Sequence, residues 1–102
     1  MELVTRPQFY LDVAEEVEYL AGQGGDGLAA RWHAALDKTI KQLVRHPFLG
    51  RQRSDLKPTE IRSWRVKGFR RWLVFYAVRD NTVVLLRVRY GMMDLSVLEF
   101  ES

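Results

Sequence analysis

Cysteine is absent from this 102-residue chain, so a disulfide framework and a thiolate metal site are both excluded. Histidine is scarce: His33 and His46 are the only two. Neither has a cluster of ligand-type neighbours in sequence, so zinc is not expected and no cofactor is implied. Long apolar runs are missing as well. No stretch approaches the roughly 18 residues of a membrane span, and the N-terminus lacks a basic region leading into an apolar one. A reducing cytoplasm is the expected setting. No repeat, low-complexity tract or linker interrupts the pattern, so a single domain over residues 1–102 is expected.

The hydrophobic fraction of 47% is ordinary for a globular domain. A chain this short has a modest core, and a partner that covers apolar surface would add to its stability. The net charge of +3 hides an asymmetry. Residues 1–40 carry a net −4, residues 41–91 a net +10 and residues 92–102 a net −3. The middle block projects a positive field that favours phosphates or an acidic partner, although solvated strand and loop charges would give the same count.

Glu2–Thr5 reads as a short edge strand. Pro7 suits the first turn of a helix, where its missing N–H costs nothing. Phe9, Val13, Val17 and Leu20 then recur at helical spacing, with Asp12, Glu15, Glu16 and Glu18 assigned largely to the wet side. Four glycines within 22–27 end that helix in a helix–helix turn. A phosphate-binding loop is excluded there, because no strand precedes the run and no Gly-Lys-Ser/Thr follows. A second helix runs from about Leu28 to Arg45, with Leu28, Trp32, Leu36, Ile40 and Leu43 as its apolar stripe and Trp32 in the core. His46-Pro47 stops it. Arg51 to Thr59 reads as a polar loop.

Three strands follow, at about Ile61–Val66, Arg70–Val78 and Val83–Tyr90, with hairpin turns at Lys67-Gly68 and at Arg79–Thr82. The expected fold class is α+β in the order β-α-α-β-β-β: an antiparallel helix hairpin packed on one face of a small antiparallel sheet. Uninterrupted pairing gives Val78–Val83, Tyr76–Leu85, Val74–Arg87 and Trp72–Arg89. One sheet face then holds Leu73, Phe75, Ala77, Val84, Leu86, Val88 and Tyr90, with Trp64 and Val66, and should meet the helices. The other holds Arg65, Arg70, Trp72, Val74, Tyr76, Leu85, Arg87 and Arg89. Left open, it would be an arginine-and-ring surface suited to a base, a guanidinium or a partner's apolar side chains. A tail from Met92 folding over it is the competing arrangement.

The string His46-Pro47-Phe48-Leu49-Gly50-Arg51-Gln52-Arg53 resembles the helix-end and loop segment of RelE/ParE toxins. So does Ile61-Arg62-Ser63-Trp64-Arg65-Val66-Lys67-Gly68-Phe69, followed by Trp72-Leu73-Val74-Phe75-Tyr76. Leu86-Arg87-Val88-Arg89-Tyr90-Gly91-Met92-Met93-Asp94 is similar to the family's last strand and its Gly-x-x-Asp ending. The resemblance covers nearly the whole chain and carries the order, spacing and strand pattern together.

That family holds two mechanisms. Its RelE-type members are ribosome-dependent mRNA endonucleases, and its ParE-type members poison DNA gyrase. Arg65 falls where the nuclease branch places a basic residue. Its neighbouring basic position is Ser63, its next-strand arginine aligns with Leu73 near Arg70 and Arg71, and Met93 replaces the basic residue after the last strand. The tail offers no tyrosine, histidine or lysine as a general acid, and arginine titrates too high to serve. Were it an RNase, Arg65, Arg87 and Tyr90 would be the candidates, with Tyr76 and His46 as substitutes. The resemblance therefore implies a ParE-like toxin that inhibits DNA gyrase and is not an enzyme; mRNA cleavage on the ribosome is the alternative. It also implies a cognate antitoxin with an acidic, amphipathic C-terminal segment, and a hetero-oligomer with it. The expected target- or antitoxin-binding residues are Arg65, Arg70, Trp72, Tyr76, Arg87 and Arg89, with the groove around Phe9, Val13 and Trp32 as another docking place.

Overall fold

The computed structural model describes residues 1–57, 60–91 and 98–100. Strand β1 (Glu2–Thr5) leads into the helical segment α1 (Pro7–Arg45), and strands β2 (Arg51–Gln52), β3 (Arg62–Val66), β4 (Phe69–Arg79) and β5 (Thr82–Tyr90) follow. A straight helix of 39 residues would be about 58 Å long, yet the longest dimension of the molecule is 39 Å. The segment folds back on itself, and the break lies at Gly24 and Gly25, which leave helical geometry. Gly25 has φ +84°, a conformation that glycine adopts without steric cost. The expected helix hairpin is thus present, and both arms contribute to one buried cluster, Phe9 and Leu20 from the first and Ala29, Trp32, Leu36 and Leu43 from the second.

The sheet order is β1-β5-β4-β3-β2. It is mixed where an antiparallel sheet was expected, because β1 pairs in parallel with β5 through Glu2–Thr82 to Thr5–Leu85. Two residues of the expected polar loop form β2, with Arg51 opposite Ser63 and Gln52 opposite Arg62. The β4–β5 turn has Asp80 at φ 49° and Asn81 at φ 61°. Both residue types tolerate that region, and two such residues make the tight turn whose twist matches a hairpin.

The register departs from uninterrupted pairing at two places. Val66 pairs with Phe69 but Arg65 with Leu73, which leaves Arg70, Arg71 and Trp72 without partners on β3. On β5, Leu86 is the extra residue between the Tyr76–Leu85 and Phe75–Arg87 pairs. Val78–Val83 and Tyr76–Leu85 occur as expected, whereas Val74 meets Val88 and Trp72 meets Tyr90. Each slip involves an odd number of residues, and an odd slip exchanges the faces of everything beyond it.

The consequence is an inversion on β4. Trp72, Val74 and Tyr76 lie on the helix side with Phe9, Leu20, Trp32, Leu36 and Leu43. Leu73, Phe75, Ala77, Val84 and Leu86, expected beneath the helices, form a second, smaller cluster with Leu56, Ile61, Leu98 and Phe100. Both faces of β4 are apolar, and the face with the larger rings meets the larger layer. Trp64 and Val66 pack on the helix side as expected.

Candidate functional site

The face expected to be open does not exist as one surface. Tyr76 is fully buried. Its hydroxyl donates to the Pro47 carbonyl at 2.7 Å and accepts from the Gly50 N–H at 2.8 Å, pinning the crossing that leaves the second helical arm. Gly50 is required there, because a Cβ would collide with the Tyr76 ring and hydroxyl. Burial pushes the Tyr76 hydroxyl pKa above its ordinary 10.0, against the opposing pull of the Gly50 bond and the Arg62 charge. Trp72 packs edge-on against Tyr90 at 4.8 Å and donates its indole N–H to Glu16 at 3.0 Å.

Arg87 and Arg89 stand opposite Phe75 and Leu73, so they leave the strand on the face away from the helices. Their guanidinium groups turn over the strand edge left open beyond the end of β1. Asp12, wholly buried, accepts from Arg87 Nε at 2.7 Å, Arg87 Nη2 at 3.0 Å and the Val88 backbone N–H at 3.1 Å. Arg89 Nη1 lies 3.6 Å from Asp12 and 3.2 Å from Glu15, while Arg87 Nη1 also donates to the Glu99 carbonyl at 2.9 Å. Asp12 and Glu16, assigned to the wet side by periodicity, are buried because they satisfy these groups. A buried carboxylate requires such partners.

Arg65 and Arg70 do lie on an exposed surface, as expected. With Arg51, Arg53 and Ser63 they line a shallow depression of about 470 Å³ at the β2 end of the sheet. Arg53 is buried and bound to Asp55 through Nε at 2.8 Å and Nη2 at 2.6 Å, with its Nη1 on the Ser63 hydroxyl at 3.1 Å. The Arg53 hydrogen bond, helped by the charge of Arg51, draws the Asp55 carboxyl down to about 2. Arg51, Arg65 and Arg70 are exposed and have no carboxylate partner among the described residues. The Arg65 guanidinium stacks on the Trp64 ring at 5.0 Å, and the Trp64 indole N–H donates to Gln42 at 3.3 Å. The alternation Arg51-x-Arg53 is the sequence signal for these two members, which lie in the expected polar loop.

An apolar groove of about 470 Å³ runs between β1 and the two helical arms, with Leu3, Phe9, Tyr10, Val13 and Ile40 among its walls and Lys41 at its rim. Phe9 and Val13 line it as expected. Trp32 does not: it is fully buried beneath. Leu3 is 44% and Tyr10 64% exposed, high values for residues of this kind in a small domain.

The three nuclease candidates do not converge. Arg65 opens onto the arginine depression, Arg87 is held by Asp12, and Tyr90 lines a separate cleft with Glu15, Glu16 and Trp72. Among the described residues no group of histidine and acidic side chains is arranged to hold a metal ion. The Gly-x-x-Asp ending and the question of a general acid in the tail fall on residues 92–97 and 101–102, outside those described.

A helix hairpin laid on one face of a small mixed sheet defines an architecture shared with a known structure, the "Chromosomal ParDE TA system from P. aeruginosa". The two align with a TM-score of 0.75, covering 88% of this chain and 95% of that one at 14% identity, a likeness of fold alone. The family model of the ParE toxin of type II toxin-antitoxin system, parDE, matches residues 3–95, and the chain belongs to that family. It is also similar to Toxin ParE3 of Caulobacter vibrioides, 38% identical over 61 residues. That match takes in 60% of this chain and 57% of the relative, so it spans little more than half of the relative's length.

Proposed function

We propose that this chain acts as the toxin of a type II toxin–antitoxin pair in the ParE manner, arresting growth by inhibiting DNA gyrase and hence replication. The observation that carries the reading is the family match across residues 3–95. The scattering of Arg65, Arg87 and Tyr90 supports a poison over an RNA-cleaving enzyme, since cleavage needs charge stabilisation and proton transfer delivered to one phosphate. No helix among the described residues is long and apolar enough to cross a membrane, which is consistent with action in the cytoplasm.

Neutralisation falls to a cognate antitoxin whose C-terminal segment folds on binding, giving a hetero-oligomer. With Tyr76 buried and Trp72 half-buried on the helix side, the groove between β1 and the helical arms is the better seat for that segment. Its walls of Leu3, Phe9, Tyr10 and Val13 suit the apolar face of an amphipathic helix, and Lys41 at the rim suits its acidic residues. A pulse of expression, with DNA and protein synthesis followed separately, tests the function. DNA synthesis should stop first, with covalent gyrase–DNA complexes accumulating and both effects cancelled by the antitoxin. Codon-biased mRNA cleavage with early loss of translation would reject it in favour of ribosome-dependent endonuclease activity.

A further inference from the structure

Two carboxylates are buried among the described residues, Asp12 and Glu16, and only the first has a cation. Asp12 holds Arg87 and lies 3.6 Å from Arg89. Glu16 is 7% exposed. Among the described residues it forms no ion pair and accepts the Trp72 indole N–H alone, at 3.0 Å. Residues 58–59, 92–97 and 101–102 contain no lysine, arginine or histidine, so no side chain there can supply the missing charge. We propose that the cleft lined by Glu16 receives an arginine side chain from a protein partner, the guanidinium meeting Glu16 and Glu15 and the stem lying along Tyr19, Trp72 and Tyr90.

The cleft encloses about 400 Å³, and three of its six lining residues are aromatic. Trp72 stands edge-on to Tyr90 at 4.8 Å and to Phe69 at 6.2 Å, so this wall is in place before a ligand arrives. Ring faces attract a cation, the more so out of bulk water. Arginine suits such a place better than lysine, because its guanidinium is planar, stacks on rings and is more weakly hydrated than an ammonium. A buried carboxylate is costly until a cation answers it, and a ligand that brings one offsets that cost. The local charge has the matching sign. Asp12, Glu15 and Glu16 are three acids gathered around two cations, Arg87 and Arg89. Arg89, the one cation lining the cleft among the described residues, is engaged through Nη1 by Asp12 and Glu15. The α-carboxylate of free arginine therefore finds no available guanidinium there, whereas a side chain carried by a polypeptide brings no such carboxylate. The inference stands apart from the gyrase reading, because its readout is equilibrium binding of a small probe by the chain itself.

Nuclear magnetic resonance on isotopically labelled protein provides the test, following the Trp72 indole N–H, which Trp72→Phe identifies by its disappearance. N-acetylargininamide should shift that resonance saturably, and its neutral citrulline analogue should not. Glu16→Gln keeps an acceptor for the indole but removes the charge, and should lose about tenfold or more in affinity. Tyr19→Ala removes a ring that is 55% exposed, so the fold is spared, and should lose roughly threefold. The proposal is overturned if the amide gives no saturable shift, or if the citrulline analogue binds as well as the amide. It is equally overturned if Glu16→Gln and Tyr19→Ala, each folded by circular dichroism, bind the amide as the wild type does. Tighter binding of free arginine than of the amide would overturn the protein-borne source, and tighter binding of N-acetyl-lysinamide would overturn the guanidinium.

Discussion

Two groups of arginines leave the same face of one sheet and meet opposite fates. At the β5 end, Arg87 and Arg89 are drawn over the open strand edge to a buried carboxylate. At the β2 end, Arg51, Arg65 and Arg70 are exposed and form no ion pair among the described residues. The difference follows from what each edge lacks. Beyond the end of β1 the backbone N–H of Val88 needs an acceptor. Asp12 supplies one, and the charge it brings indoors then requires both arginines. At the β2 end the edge is exposed and nothing obliges a counter-charge. The first group holds the fold together, and the second is available to a partner.

The comparison breaks most visibly at Asp12. Asp12→Asn keeps an acceptor for Val88 but removes the charge, leaving Arg87, with its side chain 11% exposed, facing a neutral amide in a largely desolvated place. Removing one member of a buried ion pair costs about 3–5 kcal/mol, a large part of what a small domain has in total. Chemical denaturation should show a shift of that size in unfolding free energy. A loss below about 1 kcal/mol would mean that the pair is solvated and that Arg87 resembles the unpaired group after all.

How much of this was legible in the sequence follows the same division. The helix pair, the glycine break and the two hairpin turns were readable because each rests on local chemistry: periodicity, the run of glycines at 22–27, Asp80-Asn81. The sheet faces were not. Parity survives only while pairing is uninterrupted, and Arg70, Arg71, Trp72 and Leu86 interrupt it. Both faces of β4 are apolar, so hydrophobicity alone offered no correction. The placement of Asp12 and Glu16 in water, and of Arg87 and Trp72 on an open face, were one misreading seen from two sides. These residues find each other 75 and 56 positions apart, a distance that no local pattern spans. Arg65 and Arg70 were placed correctly because β3 precedes both interruptions and Arg70 lies at the first.

A middle-sized effect is expected where the helix crosses to the sheet. Tyr76→Phe removes the acceptor for the buried Gly50 N–H and the donor to Pro47. An unsatisfied buried polar group costs about 1–3 kcal/mol, so thermal or denaturant unfolding should register a loss in that range. The pH dependence has a definite sign. The folded state holds the phenol pKa above 10.0, so the unfolded chain ionises first and stability declines as pH rises past 10.0 toward the folded value. The Tyr76→Phe variant should lack that part of the decline. Parallel alkaline curves for the two proteins would show that the hydroxyl is not sealed.

The smallest effect belongs to the unpaired arginines, and its smallness is what sharpens the contrast. Arg51→Ala, Arg65→Ala and Arg70→Ala each remove an exposed cation that forms no ion pair among the described residues. Surface changes of this kind stay within about 0.5 kcal/mol. Arg65→Ala sits at the unfavourable end because it also forfeits the contact with Trp64. Arg51→Ala sits nearest zero, relieving repulsion from Arg53 while losing an attraction to Asp55. Denaturation midpoints of the three variants should therefore cluster around the wild-type value, far from the Asp12→Asn result. A loss above about 1.5 kcal/mol in Arg51→Ala or Arg70→Ala would place these residues in the structural group.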